Sequence, residues 1–237
     1  MAQADFDFIQ SGGMVHVGGD DGTARLHSAL ASPLAGEGDY CRDYSLVSGF
    51  TGFTIGKIKA TYNGGEFDQI SESFSWSTRA WLRYIADATW SNAIGIGIKI
   101  GTIAGPYNGS GYWLMAGRTN TGAADNLFLV TASETGSGIV ETQIGSGLFP
   151  ANTWAKCRLD VVPVGTSQDN LEVLTGTGPT GSEIWTSRGT LNIPNTNGNY
   201  CDWQHANSGR VGFGYFRNSS TTPTCYIDRF QVFKEAV

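Results

Sequence analysis

Residues 93–101 read AIGIGIKIG, and their alternation predicts how the chain folds. Isoleucine occupies the even-numbered positions from 94 to 100, while alanine, glycine and lysine occupy the odd-numbered ones. Successive side chains of a β-strand point to opposite faces of its sheet. One face of this segment is therefore predicted to pack into a core, and the other face is nearly bare.

The same period of two recurs along the chain, and no stretch of helical length shows a convincing period of 3.6. Clusters rich in Gly, Asn, Thr and Ser separate the alternating segments, as turns do. This pattern predicts an all-β fold, an antiparallel two-sheet sandwich that forms one domain over residues 1–237. Residues 14–23 could form a short hairpin. The predicted strands are 53–62, 74–84, 93–101, 111–118, 126–132, 139–144, 154–162, 170–174, 210–216 and 225–233.

Composition limits the partners that the protein can have. Of its 237 residues 40% are hydrophobic and 15% charged, and the net charge is −6. No basic tract is present, which argues against nucleic-acid binding, because phosphate recognition needs clustered Lys and Arg. No apolar run reaches the length of a membrane-spanning helix, so we expect no membrane insertion. Residues 1–10 lack the pattern of a signal peptide.

Two segments carry a family resemblance. In residues 153–176 a tryptophan opens a long strand, and a second strand follows after a turn. Residues 209–234 contain a GRVGFG strand, a polar loop and a closing IDRFQV strand. Together they resemble the C-terminal half of the concanavalin A-like lectin and glucanase jelly roll, of the laminin G-like kind. The resemblance implies two stacked antiparallel sheets, of which the concave one often binds glycans. It does not select a function, because this fold serves lectins, glycosidases, adhesion modules and virion proteins.

Catalysis is not expected. Glucanases of this fold carry the motif E-x-D-x-E, or its bulged form E-x-D-x-x-E, whose carboxylates stand about 5–5.5 Å apart. Glu66, Asp68 and Glu72 approach this motif, but the last spacing is one residue too long. No G-x-S-x-G sequence is present either. Gly176, Gly178 and Gly181 match G-x-G-x-x-G, but no helical pattern follows, so we interpret them as a turn.

The resemblance also implies one metal ligand. Many members of this fold hold a structural calcium ion partly through an aspartate of the last strand, and Asp228 matches that position. Oxygen ligands suit calcium. The alternative is that Asp228 pairs with an arginine or caps a loop. We expect no other cofactor.

A binding site is predicted on residues 74–84. One parity of this segment is core-like, whereas the other places Trp81 between Arg79 and Arg83. An exposed indole can stack on a sugar ring, and guanidinium groups can bond hydroxyls or carboxylates. We therefore predict a ligand site at these three residues.

The bare face of residues 93–101 could extend this site. If that strand lies in the same sheet, Gly95, Gly97 and Lys99 form a shallow trough beside Trp81. Tyr112 and Trp113 could add aromatic rings. Alternatively, the glycines make room for a covering loop or for Trp81 itself. Trp154 and Trp185 are expected in the core.

Three functions are compatible with these features. The first is a non-catalytic structural or adhesive module of a bacteriophage virion, in capsid decoration or a tail fibre. It would be made in the host cytoplasm, form a homo-oligomer, and contact other virion proteins or a cell-surface glycan. The second is an extracellular, lectin-like carbohydrate-binding module. The third is a glycoside hydrolase of the glucanase type.

Overall fold

The computed structural model describes seventeen strands and a few turn residues beside them. They comprise residues 2–6, 15–18, 23–26, 40–43, 51–56, 58–62, 65–67, 74–84, 92–100, 111–117, 126–132, 139–146, 152–164, 168–178, 181–194, 210–217 and 225–236. No helix capable of crossing a membrane occurs in this part of the chain. The predicted all-β class is confirmed.

In chain order the strands are β1 (Ala2–Phe6), β2 (Val15–Gly18), β3 (Thr23–Leu26), β4 (Tyr40–Asp43), β5 (Thr51–Gly56), β6 (Ile58–Tyr62), β7 (Gly65–Phe67), β8 (Phe74–Tyr84), β9 (Asn92–Ile100), β10 (Gly111–Gly117), β11 (Asn126–Ala132), β12 (Ile139–Ser146), β13 (Ala155–Val164), β14 (Gln168–Thr177), β15 (Ile184–Pro194), β16 (Arg210–Arg217) and β17 (Cys225–Ala236).

Two large antiparallel sheets form the sandwich. The eight-stranded sheet has the order β15-β14-β13-β8-β17-β4-β3, and β1 also pairs with β17. The seven-stranded sheet has the order β12-β11-β10-β9-β16-β5-β2. A small third sheet consists of β6 and β7. Consecutive strands are neighbours from β9 to β12 and from β13 to β15, whereas β8, β16 and β17 pair with strands distant in sequence, so both local and long-range pairing build the sheets.

The core lies between the two large sheets. Ile94, Ile96 and Ile98 of β9 are fully buried, as their alternation predicted. From the other sheet β8 contributes Leu82, and β17 contributes Phe230. Phe230 meets Phe213 of β16 with ring centroids 5.1 Å apart. Burial of each such side chain contributes ~1.5–3 kcal/mol, so these rows hold the sheets together.

Four features differ from the prediction. The short strands β1, β4 and β7 were not predicted. The segment 53–62 is divided between β5 and β6. The expected hairpin within residues 14–23 is wrong, because β2 and β3 lie in different sheets. Strand β15 was not predicted: it is an edge strand whose residues 186–192 are all exposed, so burial imposes little alternation on its sequence. The turn before it is confirmed at Gly178 and Gly181, whose φ values are 90° and 89°, whereas Gly176 lies within β14.

A β-bulge interrupts the pairing of β17 with β8. Asp228 lies opposite Trp81, and Gln231 lies opposite Arg79. Arg229 and Phe230 therefore face the single residue Ala80, and Arg229 has a φ of 48°. The extra residue turns Phe230 into the core while Asp228 and Gln231 both lie on the opposite face. We call that face, which points away from the core, the outer face of the eight-stranded sheet.

Candidate functional site

The structure separates the predicted site residues into two groups. Arg79, Trp81 and Arg83 lie on β8, where alternation with the buried Ala80 and Leu82 places them on the outer face. The other group lies in the seven-stranded sheet, on β9 and β10. It comprises Gly95, Gly97, Lys99, Tyr112 and Trp113. A single trough built from both groups is wrong, because the outer surfaces of the two sheets point in opposite directions.

The bare face of β9 is not an open groove. Gly95 and Gly97 are buried, and they lie opposite Gly214 and Gly212 of β16. Trp113 of β10 lies opposite Gly97 on the other side. This arrangement favours the alternative in which the glycines make room for groups that pack over the sheet. The side chains of Lys99, Tyr112 and Trp113 are outside the described part of the molecule.

Cations and aromatic rings alternate across the outer face of the eight-stranded sheet. Strand pairing brings together residues that are far apart in the chain, and each cation lies near one ring. Such contacts contribute about 0.5–2 kcal/mol each. The distances from cation to ring centre are 4.1 Å for Arg79 and Phe233, 5.5 Å for Arg83 and Tyr226, 4.4 Å for Lys156 and Trp81, and 5.5 Å for Arg158 and Trp185.

Two of these cations share one carboxylate. Lys156 Nζ lies 2.8 Å from Glu183 Oε1, and Arg79 Nη1 lies 3.4 Å from the same oxygen. Glu183 Oε2 accepts a hydrogen bond of 2.9 Å from the main-chain N–H of Gly181. The side chains of Lys156 and Glu183 are each only 4% exposed. This cluster ties the turn before β15 to the centre of the sheet.

The charges of the cluster determine its protonation. Burial acts to raise the pKa of Glu183, but the hydrogen bond from Lys156 and the positive charges of Arg79 and Lys156 outweigh it. The pKa of Glu183 therefore lies below its usual value of 4.5, and the carboxylate is ionised at neutral pH. Arg79 also donates a hydrogen bond of 2.6 Å to Gln231 Oε1. The Arg79 guanidinium, predicted as a ligand donor, thus has partners within the protein.

Trp81 is partly exposed, and its ring carries an internal contact. The Lys156 ammonium lies 4.4 Å from the ring centre. The indole Nε1 is buried and has no hydrogen-bond partner among the described residues. A ligand could stack only on the area of Trp81 that Lys156 leaves open.

Trp185 is an aromatic residue of the outer face that sequence reasoning placed in the core. It lies on β15 directly opposite Gly176 of β14 and is partly exposed. Alternation along β15 could have placed it on the sheet surface, but that strand has too polar a sequence to be predicted. Trp154, also expected in the core, is buried and contacts Tyr226 with ring centroids 6.3 Å apart.

Polar groups follow Trp185 along the outer face of β13, β14 and β15. Arg158 donates a hydrogen bond of 2.6 Å to Asp160 Oδ1, and Asp160 lies opposite Glu172 of β14. Ser187 lies opposite Leu174, and Thr190 opposite Glu172. Hydroxyl and carboxylate groups of this kind can bond the hydroxyls of a sugar.

The described residues do not by themselves build a calcium site around Asp228. Calcium takes six to eight oxygen ligands. Asp228 is fully buried, and the residue opposite it is Trp81, whose side chain supplies no oxygen. Among the described residues no group of three His, Cys, Asp or Glu side chains could hold a metal ion.

The acidic motif that approaches the glucanase pattern is only partly described. Glu66 lies on β7 of the small third sheet. Asp68 and Glu72 lie outside the described residues, so the spacing of the three carboxylates stays a sequence observation.

Comparison with known proteins identifies the fold. No family model and no curated protein matches the sequence. Peanut lectin in complex with a 9mer peptide is 11% identical, with a TM-score of 0.50 and coverage of 99% of this chain and 98% of the lectin. A protein of unknown function from Shewanella oneidensis MR-1 is 12% identical, with a TM-score of 0.57 and coverage of 99% and 86%.

A third solved structure is the exoplasmic/lumenal domain of VIP36 in its Ca²⁺/Man3GlcNAc-bound form. It is 10% identical, with a TM-score of 0.55 and coverage of 98% of this chain and 87% of VIP36. These likenesses confirm the predicted fold: the chain is a concanavalin A-like jelly roll. At such identities they establish the fold and leave the function to be argued from the site.

Proposed function

We propose that this concanavalin A-like jelly roll is a non-catalytic module that binds a glycan surface through the outer face of its eight-stranded sheet. The observation that carries the proposal is the row of four cation–aromatic pairs on that face. Internal pairs hold the rings in place, and partly exposed indoles remain at Trp81 and Trp185. Rigid aromatic surface flanked by polar groups suits the apolar faces and hydroxyls of sugars.

The glycan partner has support from the fold as well. The VIP36 domain, which shares this fold, was solved with Man3GlcNAc bound. Within our chain the predicted residues Trp81, Arg79 and Arg83 take part as the centre of the outer face. In this role Arg83 beside Tyr226 supplies the guanidinium, whereas Arg79 chiefly positions the surrounding groups.

A glycan array followed by calorimetry tests the proposal. We expect the wild-type protein to bind at least one class of glycan, and Trp81→Ala and Arg83→Ala to weaken that binding. Thr186→Ala, a change at an exposed residue of β15 that alternates to the face opposite Trp185, is the matched control and should bind as the wild type does. If the wild-type protein binds no glycan on the array, the proposal is contradicted. Cleavage of a bound glycan would contradict the non-catalytic part of the proposal.

The setting that we propose for this module is a bacteriophage virion, as a capsid decoration or a tail-fibre component that contacts other virion proteins or a host glycan. The support is compositional: 33 glycines, a charged fraction of 15% and a fold made of strands. Neighbouring genes that encode capsid, portal or tail proteins would support this setting. Neighbours concerned only with secretion or metabolism would contradict it.

A structural calcium ion at Asp228 is part of the proposal, with main-chain carbonyls as the other ligands. Its support is the fold likeness to the Ca²⁺-bound VIP36 domain. Bound calcium would stabilise the folded state by mass action. We expect calcium to raise the Tm of the wild-type protein relative to EGTA, and to leave the Tm of Asp228→Asn unchanged. An equal Tm of the wild-type protein in calcium and in EGTA would exclude the ion.

A further inference from the structure

We infer that Trp185 is the stacking platform of a saccharide subsite at the β15 edge of the outer face, and that this subsite takes an uncharged pyranose ring. The inference rests on the proposed function and assigns a specific place and ligand class to it. Nothing in the sequence pattern pointed to Trp185, and its position follows from the pairing of β14 with β15.

The indole of Trp185 lies directly over the backbone of Gly176. A Cβ atom added at Gly176 would stand 2.7 Å from Cζ3, 2.9 Å from Cε3 and 3.1 Å from Cη2 of the ring. Real Cβ atoms do not approach a ring so closely, so only glycine at position 176 permits this position of the indole. The six-membered part of the indole is thus held against the sheet by the absence of a side chain beneath it.

A ring seated in this way can present surface to a ligand. Trp185 is partly exposed and belongs to β15, the edge strand of the eight-stranded sheet. Its cation, Arg158, lies 5.5 Å from the ring centre, farther than the 4.4 Å between Lys156 and Trp81. The ring of Trp185 is therefore in looser contact with its neighbouring cation than the ring of Trp81 is.

The charge around the platform selects an uncharged ligand. Arg158 Nε bonds Asp160 Oδ1 at 2.6 Å, so the nearest cation is already neutralised. Lys156, which lies opposite Gly176, is likewise paired, because Glu183 Oε1 lies 2.8 Å from its Nζ. An acidic sugar would meet cations that already have carboxylate partners, whereas the hydroxyls of a neutral sugar can donate to those carboxylates.

Calorimetry with neutral oligosaccharides of glucose, mannose and galactose, and with oligogalacturonate as the acidic counterpart, tests the inference. We expect the wild-type protein to prefer a neutral oligosaccharide. Trp185→Ala should weaken that binding about tenfold, as the loss of one aromatic stacking contact would. Trp185→Tyr, which keeps a ring, should retain most of the affinity.

Two glycine variants test whether the position of the indole over Gly176 is needed for binding, without removing the indole itself. Gly176→Ala places a methyl group where the ring lies, so the ring must shift and binding should fall as it does in Trp185→Ala. Gly189→Ala is the matched control on the same hairpin, because a Cβ there meets nothing within 4 Å. It should bind as the wild type does. Circular dichroism and Tm confirm that each variant is folded.

The outcomes separate this inference from the proposed function. If Trp185→Ala and Gly176→Ala bind as the wild type does while Trp81→Ala does not, the platform lies elsewhere and only the inference fails. A preference for oligogalacturonate overturns the assigned ligand class. If the wild-type protein binds no glycan of any class, the proposed function fails and the inference falls with it.

Discussion

Glu183 illustrates what a single side chain does in this fold. Its carboxylate forms ion pairs with Lys156 of β13 and Arg79 of β8, and the residue lies on the turn that leads into β15. Sequence alternation correctly placed Arg79 and Trp81 on the face opposite the core. It could not supply their partners, because Glu183 is 27 residues from Lys156, and Gln231 is 152 residues from Arg79. Only the pairing of distant strands brings these groups together.

Removal of this carboxylate should be costly. Glu183→Gln removes the carboxylate that pairs with the buried Lys156 ammonium, and breaking a buried pair in this way costs about 3 kcal/mol. We expect the free energy of unfolding, measured with urea at pH 7, to fall by about that amount. Glu172→Gln is the control, because Glu172 is partly exposed on the same face and should change stability by less than about 1 kcal/mol. Equal losses in both variants would contradict the role of Glu183.

The same carboxylate makes stability depend on pH. The pKa of Glu183 is lower in the folded protein than its usual value of 4.5, so the unfolded state binds the proton first as the pH falls. The contribution of Glu183 is complete above about pH 5 and is lost as the pH falls through its folded-state pKa. We expect the Tm to decrease below about pH 4.5 in the wild type, and less steeply in Glu183→Gln. Parallel pH profiles would contradict this assignment.

At the scale of elements, the sequence predicted which face of a strand packs into the core, but not which sheet the strand joins. Alternation identified strands at the positions of β8–β14, β16 and β17, because a strand with one face in a core alternates apolar with polar residues. Whether β8 and β9 share a sheet depends on pairings between distant segments, and the expected trough failed on that point. Strand β15 escaped prediction because an edge strand with exposed faces needs no apolar alternation. The platform at Trp185 was missed for the same reason.

The β17 bulge is a testable element. Deletion of Arg229 would leave Phe230 alone opposite Ala80, so the ladder would become regular with Phe230 still in the core and Gln231 still on the outer face. We expect this variant to keep the near-ultraviolet circular dichroism of the folded protein.

The matched control for that deletion is Arg229→Gly. It keeps the bulge and suits the φ of 48°, so it should stay folded. Loss of folding in the deletion variant but not in Arg229→Gly would show that β17 cannot pair with β8 without the bulge.

At the scale of the molecule, the exposed edge of the eight-stranded sheet favours self-association. Strand β15 is 11 residues long, and Ile184 and Leu191 on it are 72% and 43% exposed. Unpaired edges of this kind offer main-chain hydrogen bonds to another chain. We expect light scattering to give a mass that is a multiple of the monomer, and Ile184→Lys to reduce it. A monomer at micromolar concentration would contradict the predicted homo-oligomer.

The glycine block of β9 and β16 has a consequence for how this protein can vary. Ile94, Ile96 and Ile98 are sealed on one side of β9, and Gly95 and Gly97 are sealed on the other. Substitutions on either face of this segment should therefore destabilise the protein. A residue smaller than isoleucine leaves a void on one side, and an atom added to a glycine needs space on the other. Drift should spare these five positions and accumulate in the connecting loops, so this short segment is where remote descendants of the sequence would still be alignable.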